Sequence, residues 1–93
     1  MLSQFPIDLS KVSEENIDKE ILRLGMIAEL DAINLYEQLA EKTQDKKIKE
    51  VLLGIAKEEK THVGEFQTLL LEKDKEQVEE FEKGKKEVEE LIE

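Results

Sequence analysis

Two stretches of this chain carry apolar residues at helical spacing, and each stripe has a glutamate on its centre line. On a wheel turning about 100° per residue and centred on Glu59, Ile48, Leu52, Ile55, Val63, Phe66 and Leu70 all fall within about 40° of it. On the same construction Leu22, Gly25, Ile33, Tyr36 and Ala40 gather around Glu29. An unpaired carboxylate in a low-dielectric core is costly. The fold must therefore bring each of these two glutamates a compensating partner.

The stripes define the architecture. Gly and Pro are scarce, at four and one, and Glu and Lys dominate the polar residues, which predicts an all-α fold. At 93 residues the chain is one small domain, near the low end for a self-sufficient core. Residues 1–12 read as an irregular arm, in which Pro6 discourages helix while Phe5, Ile7 and Leu9 can dock on a neighbouring surface. Ser13 reads as an N-cap with Glu14 and Glu15 behind it, opening a first helix that runs to about Thr43. Thr43-Gln44-Asp45 makes a short break, Asp45 caps a second helix to about Leu71, and the pair, within residues 13–72, forms an antiparallel hairpin. Asp74 with Gln77 resembles a capping box for a short third helical segment, residues 73–93. Gly84 is expected to kink or end it, with Val88, Leu91 and Ile92 on a last polar-rich piece. Leu24, Ile27 and Leu35 form a second apolar cluster nearly opposite the Glu29 stripe, so one partner helix cannot cover both faces. Association between copies of the chain follows.

A turn centred on Gln44 leaves Glu29 and Glu59 each fifteen residues away, so the two glutamates should face each other across the hairpin. Two carboxylates in a core repel unless one is protonated or a cation neutralises both. His62 lies three residues after Glu59 on the same face and adds a nitrogen ligand. Glu-x-x-His alone arises often by chance in a Glu-rich helix, and a structural alternative for Glu29 is a lysine on a partner helix. The combination is more specific. It suits Fe, with Mn or Zn as substitutes, rather than soft Cu(I). A di-iron carboxylate bundle takes one Glu from each of two helices and one Glu-x-x-His from each of the other two. This chain holds half of that set, and a symmetric homodimer would complete a four-helix bundle.

Other features exclude function classes. With no Cys, disulfides and thiolate metal sites are ruled out. A formal net charge of −10 repels nucleic acid and anionic membranes and attracts small cations, besides conferring solubility. Neither a signal peptide nor an apolar run of bilayer length is evident, so no membrane partner and a cytoplasmic location are expected. The abundance of Glu and Lys with little Asn suits a thermophile. Met26 reads as core filler, while Glu58 and Glu65 point away from the stripe and read as solvated.

The run Glu29-Leu30-Asp31-Ala32-Ile33-Asn34-Leu35-Tyr36, followed by Glu58-Glu59-Lys60-Thr61-His62, resembles the encapsulated ferritin family over roughly residues 18–72. The resemblance implies a half-ferritin hairpin that dimerises into a ferritin-like bundle with a di-iron ferroxidase centre, its dimers arranged in a ring. It implies Glu29, Glu59 and His62 as iron ligands, with Tyr36 beside the centre as a packing residue, a hydrogen-bond partner or an electron donor. It also implies residence inside an encapsulin nanocompartment, for iron storage or detoxification. Three departures stand out. Leu35 occupies a position where members often carry Trp, and Ala28 and Asp31 stand where some carry glutamates of a metal-uptake site, leaving Asp31 as the remnant. The chain also ends at Glu93 without a shell-targeting peptide, as expected of a trimmed sequence or of the front of a chain fused to a shell protein. Two other functions fit the residues: a rubrerythrin-like peroxidase, against which the missing Cys-rich electron-transfer domain counts, and a non-catalytic acidic helical scaffold or cargo adaptor.

Overall fold

A computed structural model describes residues 8–91, and Phe5, Ile7 and Ile92 lie outside the described residues. A short 3-10 helix, Leu9–Lys11, leads into three α-helices: α1 (Ile17–Lys42), α2 (Lys46–Lys73) and α3 (Lys75–Glu89). No strand occurs among the described residues. The first two helices pack against each other as an antiparallel hairpin.

Each boundary has a local cause. Ser13 does not cap α1. Its carbonyl accepts from Asn16 N–H at 3.0 Å and its hydroxyl from the Asn16 side chain at 3.2 Å, which closes a turn and delays the helix to Ile17. At the hairpin tip the Asp45 carboxylate accepts from Lys47 and Ile48 N–H at 2.9 and 3.0 Å, capping α2 as its residue type predicts. Asp74 alone separates α2 from α3. Its carboxylate accepts from Gln77 N–H at 3.0 Å and from Arg23 Nη2 at 3.0 Å, so one side chain caps α3 and ties the junction to α1. The Gln77 bond above all, with the Lys19 and Arg23 charges behind it, holds the Asp74 carboxyl below its usual value against the effect of burial. Gly84 does not end α3, which runs through it to Glu89 and takes in Val88. A helical glycine costs only about 1 kcal/mol relative to alanine, too little to break a helix flanked by Glu and Lys.

The core is thin. Leu22, Ile33 and Ala40 of α1 and Ala56 and Leu70 of α2 are the buried apolar residues among those described. Twelve large hydrophobics among the described residues stay exposed, including Ile27, Leu30 and Leu39 on α1, Ile48, Val51 and Leu69 on α2, and Val78 and Phe81 on α3. The Cα envelope measures 46 × 45 × 20 Å, broader than a two-helix hairpin, because α3 projects from it. No helix among the described residues is long and apolar enough to cross a membrane.

Candidate metal centre

Midway along the hairpin the apolar core is interrupted. Below lie Leu22 and Leu70, above lie Ile33 and Ala56, and between them Glu29, Glu59 and His62 come together, with one ligand atom from each within 4.8 Å of the others. Glu29 sits on α1, and Glu59 and His62 lie on one face of α2, three residues apart. The closest contact is between the helices: His62 Nδ1 to Glu29 Oε2, 2.6 Å. The proton arrangement that satisfies it puts hydrogen on Nδ1, donating to the Glu29 carboxylate. Glu59 Oε1 lies 3.8 Å from the same nitrogen.

The electrostatics follow from this crowding. The Glu59 pKa is raised, first by its hydrogen bond with Glu29, then by burial and the Glu29 charge, with His62 opposing. The hydrogen bond and the neighbouring charge both favour the protonated form of Glu59, and a cation between the two carboxyl groups would offset the same repulsion. His62 is also raised, chiefly by its bond to Glu29, with the charges of Glu29, Glu59 and Glu65 adding to it and burial working against it. The two glutamate side chains are 18% exposed and His62 is 44% exposed. The cluster is therefore open to solvent on one side. Two anionic oxygens and an imidazole around one small space are a donor set for a first-row divalent ion.

The turn is centred on Gln44, as expected, and Glu29 has both Glu59 and His62 opposite it within the cluster, its shortest contact being the one with His62. Tyr36 is half-buried, two turns along α1 from Glu29, and no hydrogen bond joins it to the three clustered residues. Lysine is not the partner of Glu29. Lys60 instead reaches Glu37 of α1 at 2.9 Å, bracing the helices on the flank of the cluster. Neither this ion pair nor the Arg23–Asp74 tie is signalled by local sequence, since both depend on the helix register.

Comparison with known proteins covers most of the chain. The rubrerythrin family matches residues 20–93. A ferritin-like–encapsulin shell fusion protein of Pyrococcus furiosus is 60% identical over 72 residues, 77% of this chain and 21% of the relative. The chain thus spans about a fifth of that relative's length. The crystal structure of the encapsulated ferritin domain from Pyrococcus furiosus superposes with a TM-score of 0.84 at 51% identity, covering 99% of this chain and 96% of that one. With fold, cluster and similarity in agreement, the chain belongs to the ferritin-like rubrerythrin family and, within it, to the encapsulated ferritins.

Proposed function

We propose that this chain is a ferroxidase subunit, oxidising Fe(II) to Fe(III) with dioxygen at a di-iron centre formed across a homodimer interface. The observation that carries this reading is the gathering of Glu29, Glu59 and His62 within 4.8 Å of one another on two helices. One Glu on α1 and one Glu-x-x-His on α2 are half of a di-iron carboxylate set, and a two-fold pairing of hairpins supplies the other half. Iron is the substrate here. Two Fe(II) ions give up one electron each, and dioxygen takes the pair with two protons, leaving Fe(III) and hydrogen peroxide.

The chain's own residues contribute charge and position. Glu29 and Glu59 present anionic oxygens, which favour the more highly charged product ion over Fe(II). A cation held between Glu29 and Glu59 would offset the repulsion that raises the Glu59 pKa. His62, hydrogen-bonded to Glu29, adds a nitrogen donor on the same face of α2. Tyr36 stands beside the centre in this reading, and Tyr36→Phe separates packing by its ring from a role for its hydroxyl. Mn(II) and Zn(II) are expected to occupy the site as substitutes.

A hairpin of this size encloses no mineral, so storage or detoxification needs a separate compartment. The Pyrococcus relative is named a fusion to an encapsulin shell. That name supports an encapsulin shell around this chain, fused or separate; a cytoplasmic setting and an arrangement of the dimers in a ring complete the proposal. The match to the rubrerythrin family favours a second reading, in which peroxide rather than dioxygen is the oxidant. Comparing the two oxidants at equal iron loading separates them.

The main test is Fe(II) oxidation under air, followed by absorbance of the ferric product. His62→Ala removes a donor while leaving a helix-favouring residue, so helicity should hold while the rate falls at least about tenfold. Glu59→Ala should be slower still, because a carboxylate that neutralises both metals is lost. Wild-type rates in both variants would remove the ferroxidase reading and leave the acidic scaffold in its place.

A further inference from the structure

One residue on the Glu29 stripe is a glycine, which is unfavourable inside a helix unless something uses the missing side chain. Gly25 lies four residues before Glu29, and Phe66 four residues after His62. On antiparallel helices the pair Gly25–Phe66 is thus in register with the pair Glu29–His62, one turn closer to the open end of the hairpin. The Phe66 ring occupies the space that a side chain at position 25 would need. A Cβ on Gly25 would come within 2.9 Å of both Cε1 and Cζ of Phe66, and within 3.1 Å of Cδ1. The other helical glycines, Gly54, Gly64 and Gly84, have nothing within 4 Å of the corresponding point. Gly25 alone among them is a notch that another side chain fills.

The notch has a consequence for the cluster above it. Carbon atoms pack best at about 3.5–4.0 Å, so a methyl group at position 25 would have to move the ring by roughly half an ångström or more, or push the helices apart. An aromatic side chain in a helix leans towards the N-terminus, which from Phe66 is the side of His62. Ring displacement therefore runs towards the ligands, and helix separation lengthens the 2.6 Å contact between His62 and Glu29. Either movement alters the donor set.

We propose that Gly25 and Phe66 are positioning residues of the metal centre: the ring seated in the glycine notch fixes the α1–α2 separation that brings Glu29 and His62 together, and forms the apolar floor beneath them. The proposal rests on the reading of Glu29, Glu59 and His62 as metal ligands, and adds the pair that sets their spacing.

Titration with Co(II), whose visible absorption reports the ligands around it, tests the pair without using turnover. Gly25→Ala should keep its helicity, bind Co(II) at least about tenfold more weakly and show an altered absorption band. Phe66→Leu introduced into Gly25→Ala shortens the side chain that collides and should return affinity to within a few-fold of wild type. If Gly25→Ala alone does not fold, Phe66→Leu alone carries the test: Co(II) binding weakened at least about tenfold with helicity kept supports the proposal, and wild-type affinity and spectrum overturn it. Wild-type affinity and spectrum in Gly25→Ala would overturn it, as would a loss that Phe66→Leu fails to relieve. A wild-type chain that binds Co(II) yet leaves Fe(II) unoxidised would remove the ferroxidase reading and leave this inference intact, whereas one that binds no Co(II) would overturn both.

Discussion

Metal uptake should be coupled to proton release, and the coupling can be worked out from the cluster. In the metal-free chain Glu59 and His62 both hold their protons to higher pH than usual, because each is bonded to Glu29. The folded value of His62 lies above its ordinary 6.5, so between pH 5.5 and 6.5 the imidazole is mostly charged. An arriving cation must displace that proton, since only the neutral ring offers a lone pair. One proton released per ion makes affinity rise about tenfold per pH unit in this window, flattening once the folded pKa is passed. A residual proton on Glu59 steepens the rise at the acidic end. Folding has the opposite dependence. Each raised group binds protons more tightly folded than unfolded, so the stabilisation from His62 is complete below 6.5 and lost as pH rises through its folded value. Glu59 behaves alike from its ordinary 4.5 upward. The metal-free protein should thus lose thermal stability from pH 5 to 8 while the metal-loaded protein gains. Calorimetric Co(II) titrations in buffers of different ionisation enthalpy count the protons, and His62→Ala should flatten the slope between pH 5.5 and 6.5. Equal affinity at pH 5.5 and 6.5 in the wild type would refute the assignment of His62 as a donor.

Leu70 and Leu69 are neighbours of the same chemistry with different burial, 6% against 47% exposed. In urea unfolding at fixed protein concentration, Leu70→Ala should cost about 2–3 kcal/mol and Leu69→Ala under about 1 kcal/mol, unless Leu69 is covered by a second chain. Asp74→Ala removes both the cap of α3 and the tie to Arg23, so the α2–α3 junction should become sensitive to protease while Co(II) affinity is unchanged. Because the Asp74 pKa is lowered, its stabilisation holds above its ordinary 3.8 and fades as pH falls below that value, and the acid unfolding limb should shift to higher pH in Asp74→Ala. Chelator-treated protein should form smaller species than Fe(II)-loaded protein in native mass measurements, since pairing hairpins brings four carboxylates together. An identical oligomer with and without metal, at equal concentration, would count against a shared site.

The helices were legible because their signals are local. Apolar periodicity set α1 and α2, and the capping chemistry of Asp45 and Asp74 set where α2 and α3 begin. Ser13 misled because a serine hydroxyl serves a turn as readily as a helix, and only the Asn16 contact decides between them. Gly84 misled for a related reason: a propensity of about 1 kcal/mol is a weak prior against neighbours that favour helix. The gathering of Glu29, Glu59 and His62 was visible as a conflict between charge and periodicity. Their order of contact was not, since Glu59 and His62 share one face of α2 and only side-chain geometry decides which lies closer to Glu29. Gly25 was visible on the stripe, but its use was not, because a missing Cβ acquires meaning only once Phe66 is seen in its place.

The exposed surface and the cluster lead to one argument about assembly. Among the described residues the hairpin buries five apolar residues and leaves eight large ones exposed, a division that favours a covering partner. Ile48, at 51% exposure, lies on the same stripe of α2 as Glu59, and His62 itself is 44% exposed. Covering that stripe with a second hairpin would remove water from the apolar residues and the carboxylates in one step. The first effect favours pairing and the second opposes it, because desolvation makes each uncompensated carboxylate more costly. A cation between the chains removes the opposing effect and leaves the favourable one. In the proposed dimer the glutamates on the stripe would thus act as a condition on association: the surface would be apolar enough to pair, and charged enough that the pair is expected to be stable chiefly when it holds metal.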